Sequence, residues 1–318
     1  VLAVATAWPL FPLSVLAPVP STVVAARNGE PLRIFLAPDQ SWRLPVRLGA
    51  VAPILPRLVV AAEDRHFRRH PGVNPFSLVR AALSNLRAGH VVSGGSTITM
   101  QLARLARPKE RTLLGKIDEA LAALALERHL SKDAILERYL NMAPYGGNIV
   151  GVGAASSFYC NKTPDRLSLA EAALLTVLPR SPLRLDPIRH PQAARAARNR
   201  LLASMSRQGV IAPDAAMEAA KAPLPTRLVR PPFTAPQFCE MARETAGSAV
   251  RVDTTLDPAA QKTASAILAG RKSWLAAQGI GSVAAVVLDP ASRDILAMVG
   301  STDFFGDARF GQINGATI

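Results

Sequence analysis

Apolar residues recur at helical spacing through the central part of the chain, from about residue 50 to residue 222. In the stretch 113–130, Ile117, Leu121 and Leu124 stand at i, i+4 and i+7, which places them on one face of a helix. Other helices are predicted where a capping residue or a proline at the first position precedes an apolar run. Their predicted first residues are Pro75, Lys132, Leu169 and Pro191. This part of the chain is therefore predicted to be mainly α-helical.

Alternating apolar residues predict short strands on both sides of the helical part. Ahead of it, Leu32, Ile34 and Leu36 alternate with polar positions between two turns. Beyond it, the runs SVAAVVLDP and ILAMVG flank a turn at 290–294 and predict a β-hairpin, and five prolines within 222–238 predict a linker. The predicted division is an apolar segment 1–26, a β-rich lead-in 27–49, a helical domain 50–222, a linker 223–238 and a second, β-containing domain 239–318.

The first 26 residues carry no charged side chain, and the first one is that of Arg27. The roughly 17 residues before Pro18 would span about 26 Å as a helix, near the thickness of a bilayer core. We therefore predict a membrane anchor, and we expect the natural chain to continue upstream of Val1. A signal-peptide remnant and a buried apolar strand are the alternatives.

The net charge of the chain limits the classes of partner that it is expected to bind. The 318 residues include 37 basic and 23 acidic ones, a net charge of +14, which suits a nucleic acid, an anionic membrane surface or a phosphate-bearing substrate. No nucleic-acid-binding motif accompanies the charge, so nucleic acid is the weaker option.

Cys160 and Cys239 have no metal-binding spacing, and we expect isolated thiols, with a disulfide as the alternative. His66 and His70, four apart, are expected to belong to a hydrogen-bonded turn rather than a metal site.

Three short stretches contain candidate catalytic or anion-binding residues. The letters AAEDRHFRRHPG contain Glu63 and Asp64, where a carboxylate in a pocket could act as a general base, although a charged surface turn has the same composition. In GGSTITMQ, Ser96 or Thr97 can cap a helix whose free N–H groups attract phosphate oxygens. In GKIDEAL, the residues at 116 and 119 form either a surface ion pair or a site for a diphosphate.

Together these stretches resemble a known family. EDRHFRRHPG, GGSTITMQ, KIDE, KDAILERYLN and AEAALLTVLPRSPLRLDP follow one another in the order of the five motifs of the peptidoglycan glycosyltransferases, glycosyltransferase family 51. The resemblance covers about residues 50–210. The lead-in GEPLRIFLAPDQSWRLPV, and a glycine at 115 where most members have arginine, are similar to the penicillin-binding protein 1C subgroup of the class A penicillin-binding proteins.

The resemblance implies a mainly α, lysozyme-like domain beside a bilayer that polymerises lipid II with inversion and releases undecaprenyl diphosphate. Glu63 is then the general base, and Glu119 supports the leaving group or a divalent ion. The substrate-binding residues are expected to be Asp64, Arg65, Ser96, Thr97, Gln101, Lys116, Lys132, Glu137, Tyr139 and Asn141. Among them, Lys116 neutralises the diphosphate. No tightly bound cofactor is expected, and Mg²⁺ or Mn²⁺ would bind through the substrate diphosphate rather than through protein ligands.

The resemblance also implies which partners the protein has and where in the cell it works. Lipid II, the growing glycan chain, the membrane and other cell-wall synthesis proteins are the expected partners, with the catalytic domain on the periplasmic side of the inner membrane. Moenomycin is the expected inhibitor. The tail, with TTLDPAAQ and VAAVVLDP, resembles an incomplete, α/β start of a penicillin-binding transpeptidase domain. It lacks Ser-x-x-Lys, so no transpeptidase activity is expected of these residues.

Two departures from the motifs keep other functions open. Met100 stands where a second Gln is usual and could change a hydrogen bond in the cleft, and Gly115 removes a positive charge near the diphosphate. A membrane-bound scaffold without activity is one alternative. A lysozyme-like glycan hydrolase is another, since it also uses a catalytic Glu in a helical fold.

Overall fold

The computed structural model describes residues 11–75, 95–108, 112–306 and 311–317. It divides the chain into two compact units. The first unit comprises the chain up to Val19 together with Gln40–Val229, and the second comprises Pro20–Asp39 with Arg230–Ile318.

Helices dominate the described residues of the first unit. They are α1 (Ile54–Glu63), α2 (Ile98–Ala106), α3 (Leu113–His129), α4 (Lys132–Met142), α5 (Val152–Ala155), α6 (Leu169–Val177), α7 (Pro191–Arg207) and α8 (Pro213–Lys221). The prediction of a mainly α domain is confirmed. The helices predicted to begin at Lys132, Leu169 and Pro191 begin at those residues, whereas the helix predicted from Pro75 lies outside the described residues.

The strands are short and form three small sheets. They are β1 (Val23–Ala25), β2 (Pro31–Ile34), β3 (Trp42–Arg43), β4 (Pro144–Gly146), β5 (Ile149–Val150), β6 (Arg251–Asp253), β7 (Ala285–Leu288) and β8 (Ile295–Val299). In the first unit, β5 lies between β3 and β4, parallel to β3 and antiparallel to β4. This sheet connects the lead-in to the turn after α4.

The buried helix α6 forms the centre of the first unit. Its start is fixed by a capping box, in which the Ser168 hydroxyl accepts from the Glu171 N–H and the Glu171 carboxylate accepts from the Ser168 N–H. Residues 172–178 carry no charge and are all buried, as expected of a helix that packs on every side. The chain leaves α6 through the short turn Leu178–Arg180, so Arg180 follows directly from the core.

The second unit contains the sheet β2–β1–β6, in which β1 is antiparallel to β2 and parallel to β6. Helices α9 (Pro236–Ala246) and α10 (Pro258–Ala277) belong to it, and β7 and β8 pair as the predicted antiparallel hairpin. The predicted lead-in 27–49 is divided between the units, because β2 belongs to this one and β3 to the first. The predicted linker 223–238 ends inside α9.

The predicted anchor 1–26 needs a correction over the residues that the structure describes. Phe11 and Leu16 are buried in the core of the first unit, and β1 is the middle strand of the second unit's sheet. Prolines at 12, 18 and 20 interrupt this stretch, so it does not form one continuous helix. Across residues 11–75, 95–108, 112–306 and 311–317, we find no helix with the length and hydropathy needed to cross a membrane.

Both cysteines are free thiols, as predicted, but they differ in exposure. Cys239 is buried in the second unit, whereas Cys160 in the first is only partly buried. Burial raises the pKa of each thiol to about 12, so both stay protonated at neutral pH.

Candidate active site

Glu63 is the last residue of α1, and both of its carboxylate oxygens accept hydrogen bonds. Arg180 Nε donates to Oε1 at 2.5 Å, and Gln101 Nε2 donates to Oε2 at 3.0 Å. A second nitrogen of Arg180 donates to the carbonyl of Ala62 at 2.9 Å, which fixes the guanidinium against the end of α1. The Glu63 side chain is 13% exposed, so it is held firmly yet is open to a ligand on one side.

Tyr139 extends this network into the core. Its hydroxyl donates to Gln101 Oε1 at 3.3 Å, so the amide of Gln101 connects α4 to the carboxylate of Glu63. Burial, and after it the negative charge of Glu63, raise the pKa of the Tyr139 phenol well above its usual value. The phenol therefore stays protonated at any physiological pH and donates to Gln101 Oε1, while the Glu63 carboxylate accepts from the NH₂ group of the same amide.

A second charged group lies between α2 and α3, formed by Arg104 of α2 and by Lys116 and Glu119 of α3. Lys116 donates a hydrogen bond to the hydroxyl of Ser96, and its Nζ lies 3.7 Å from Glu119 Oε2. Arg104 places a guanidinium nitrogen 3.7 Å from Glu119 Oε1, so Glu119 stands between two cations and is 13% exposed. Gln101 and Arg104 are three residues apart on α2 and so share a helix face. The carboxylate of Glu63 and the Lys116 ammonium are thereby brought to the same side of α2.

Thr97 is confirmed as the capping residue of α2. Its hydroxyl oxygen accepts from the Met100 N–H at 3.1 Å and donates to the carbonyl of Gly72 at 2.5 Å. Thr97 is buried, so it shapes the start of α2 and is not exposed to a cleft. Met100 is 1% exposed, and our expectation that it alters a hydrogen bond in the cleft needs correction, because its thioether points into the protein.

Asp64 is buried and bonded to the protein itself. His70 Nε2 lies 3.0 Å from each of its carboxylate oxygens, and the Ile98 N–H at the start of α2 donates to Oδ2 at 3.1 Å. His66, by contrast, is exposed, so the two histidines do not form a ligand pair. Within the described residues, no group of three histidine, cysteine or acidic side chains could hold a metal ion. We conclude that Asp64 connects α1 to α2.

We expect Asp64→Ala to lower the free energy of unfolding by about 3 kcal/mol, because it leaves His70 and a helix N–H buried without their acceptor. Urea unfolding measures this. The control is Asp133→Ala, which removes a surface ion pair with Arg68 and should cost less than about 1 kcal/mol. An Asp64→Ala protein as stable as the wild type, but inactive, would instead place Asp64 among the groups that bind substrate.

Three more of the expected substrate-binding residues bond to their own chain. Lys132 donates to the His70 carbonyl and to the Glu127 carboxylate, each at 2.6 Å. Glu137 accepts from the Leu48 N–H at 2.7 Å. Asn141 pairs with the backbone of residue 46, accepting at 2.9 Å and donating at 2.8 Å.

These bonds fix α4 against the lead-in and the turn after α1. Arg65 is exposed and faces a separate groove of about 840 Å³ that is also lined by Arg57 and Arg68. The structure therefore gathers Glu63, Gln101 and Tyr139 in one group and Ser96, Lys116 and Glu119 in the next.

Comparison with known proteins identifies this arrangement. The family model described as Transglycosylase matches residues 28–206, more than half of the chain. The chain belongs to the transglycosylase family. Penicillin-binding protein 1C of Escherichia coli (strain K12) is 42% identical over 305 residues, which are 96% of this chain and 39% of that protein. The resemblance to the peptidoglycan glycosyltransferases and to the 1C subgroup is thus confirmed.

Other relatives of this transglycosylase match a smaller part of it. Penicillin-binding protein 1A of Aquifex aeolicus (strain VF5) is 48% identical over 166 residues, 52% of this chain and 23% of its own. The crystal structure of penicillin-binding protein 1A from Haemophilus influenzae aligns over 80% of this chain and 29% of its own, with 18% identity and a TM-score of 0.38. The chain spans about two fifths of the length of the 1C relative.

Two residues of the transglycosylase site were not predicted from the sequence. Arg180 contacts the expected base, and Arg104 contacts Glu119. Arg180 lies in AEAALLTVLPRSPLRLDP, which the resemblance had already marked, whereas Arg104 lies three residues beyond the end of GGSTITMQ. The three-residue spacing of Gln101 and Arg104 was the available signal for Arg104. No signal in the sequence connected Arg180 with Glu63, because the two residues are 117 positions apart.

Proposed function

We propose that this transglycosylase is a peptidoglycan glycosyltransferase that polymerises lipid II into glycan strands. The observation that carries the proposal is the placement of a fixed carboxylate, Glu63, and a cationic group, Lys116 with Arg104, along one face of α2. Glycosyl transfer from a diphosphate donor needs a base for the attacking hydroxyl and positive charge for the leaving group. The two groups supply these in adjacent positions.

In the proposed reaction, Glu63 takes the proton from the 4-hydroxyl of the acceptor sugar as that oxygen bonds to the anomeric carbon of the donor. The bond between this carbon and the diphosphate oxygen breaks, and the configuration inverts because attack and departure occur on opposite faces. The electron pair of the broken bond leaves with undecaprenyl diphosphate, whose new charge lies against Lys116. The proton remains on Glu63 until solvent removes it.

Glu119 positions the cations in this mechanism. Its two oxygens face Lys116 and Arg104, each at 3.7 Å, so it holds both side chains in place without neutralising either one completely. Because Arg104 supplies a second positive charge, a glycine at position 115 does not leave Lys116 alone with the diphosphate. This supports an active enzyme over the scaffold alternative.

A divalent ion would assist at the same place. Glu119 Oε2 is buried and accepts no hydrogen bond from the described residues, so it is the protein oxygen that could reach such an ion. One carboxylate is too few for a protein site, and Mg²⁺ or Mn²⁺ would be held chiefly by the diphosphate oxygens of the substrate. When bound, the ion would add positive charge against the leaving group.

The proposal includes a place in the cell. We infer that the chain works at the surface of the inner membrane with its catalytic unit on the periplasmic side. The substrate is anchored in lipid, and a net charge of +14 suits an anionic bilayer surface. Lipid II and the growing glycan are the partners, together with other cell-wall synthesis proteins.

The test is polymerisation of purified lipid II by the protein in detergent, with and without moenomycin. Glycan strands whose formation moenomycin blocks, with release of undecaprenyl diphosphate, are the expected result. Soluble muropeptides released from preformed glycan would indicate the hydrolase instead. A folded protein that binds moenomycin and forms no polymer would indicate the scaffold.

A further inference from the structure

A basic cavity of about 420 Å³ lies next to Glu63, bounded by the end of α1, the turn after α6 and one face of α7. Arg180, Arg184 and Arg200 line it, and Ser181 and Ser204 add hydroxyl groups. No acidic residue is among those that line it. The volume is within the range of a site for a small ligand, and the lining is suited to a negative charge.

Two of these arginines are available to a ligand. Arg184 and Arg200 are exposed, and neither forms an ion pair or hydrogen bond with the part of the chain that the structure describes. A guanidinium group binds carboxylate or phosphate through two parallel hydrogen bonds and is only weakly hydrated, so it suits either anion. The cavity thus has two cationic groups that the fold does not use.

Arg180 joins this cavity to the proposed base. It lines the cavity and also donates to Glu63 Oε1, while the other oxygen of Glu63 accepts from Gln101 on α2. Glu63 Oε1 therefore faces the arginine of the cavity, whereas Oε2 faces the neutral amide of Gln101. In the proposed reaction, Lys116 on α3 faces the departing diphosphate of the donor, which leaves the cavity for the other sugar substrate.

We propose that this cavity is a subsite for an anionic group of the acceptor, bound by Arg184 and Arg200 while the acceptor hydroxyl lies against Glu63. The proposal rests on the proposed function. Two groups of an acceptor lipid II share the required chemistry, the carboxylates of its peptide and its own diphosphate. Both would determine which acceptors are used rather than the rate of the chemical step.

The test is the double variant Arg184→Gln with Arg200→Gln, which removes the charges and keeps much of the side-chain volume. We expect the KM for lipid II to rise about tenfold, equivalent to about 1.4 kcal/mol, with kcat changed less than about twofold. The matched control is Arg195→Gln with Arg207→Gln, which removes the same charge from exposed positions of α7 outside the cavity. Its KM should stay near the wild-type value.

A second substrate identifies the anion. With a lipid-linked disaccharide that lacks the peptide, loss of the difference between wild type and double variant would assign the cavity to the peptide carboxylates. A persisting tenfold difference would assign it to the acceptor diphosphate. Equal KM values in the double variant and the wild type on both substrates, or an equal rise in the control, would overturn the subsite. Absence of any polymer from the wild type would instead overturn the proposed function, and the subsite with it.

Discussion

Replacing Glu63 by Gln is expected to lower the rate of lipid II polymerisation by about 10³-fold, the usual scale for loss of a general base. The amide has nearly the same shape as the carboxylate but does not take up a proton from the acceptor hydroxyl at neutral pH. The measurement is the initial rate of glycan formation at saturating substrate. The control is Glu218→Gln, a change of the same kind at an exposed ion pair with Lys221, which should leave the rate unchanged.

The variant should remain folded, which makes the loss interpretable. The new amide presents an NH₂ group to one of the two donors that now face Glu63, Arg180 or Gln101. Gln101 can turn its own amide over, because the Tyr139 hydroxyl can accept a hydrogen bond as well as donate one. We therefore expect a change of about 1 kcal/mol in the free energy of unfolding. Turnover near that of the wild type in this variant would contradict the assignment of Glu63.

Helix caps and the hairpin could be predicted from the sequence, because each depends on residues that are close together in the chain. Thr97 was one of two residues expected to cap α2, and Ser131 and Ser168 cap the helices predicted to begin at Lys132 and Leu169. Each cap needs only a hydroxyl and an N–H three residues later. The hairpin of β7 and β8 likewise follows from alternation around a tight turn.

Pairing over long distances was not predictable in the same way. Strand β1 lies beside β6, and each contributes only three residues, too few to show alternation. The end of the predicted anchor was therefore placed in a membrane segment although it forms the middle of a sheet. A run of apolar residues looks the same in the sequence whether it forms a membrane segment or a buried strand.

The direction of each polar side chain was the main uncertainty at the site. A family motif gives the position of a residue, and it does not say whether the side chain faces a ligand or its own backbone. Glu63 contacts Gln101 and Lys116 lies beside Glu119, whereas Glu137 and Asn141 bond to the lead-in. Arg180 belongs to the site only because the core brings the end of α6 to the end of α1, which no local pattern records.

Lys116 faces the leaving group in the proposed reaction. Lys116→Ala should lower the rate of transfer by about 10²-fold, because it removes the ammonium that faces the charge developing on the diphosphate. The loss of substrate binding should affect the donor. The concentrations of the two substrates are therefore varied separately, with a lipid-linked glycan oligomer as donor and lipid II as acceptor. The expected result is a raised KM for the oligomer and a nearly unchanged KM for lipid II, in addition to the loss of kcat, which is common to both substrates.

Two further variants separate charge from position. Lys116→Arg keeps the positive charge and should restore much of the donor dependence, although its longer side chain no longer fits the hydroxyl of Ser96 in the same way. Lys221→Ala is the matched control, since Lys221 also has an acidic partner three residues away but is 75% exposed and should be silent. If Lys116→Ala raised KM equally for donor and acceptor, the ammonium would act by fixing the start of α2 through Ser96 rather than by neutralising the diphosphate.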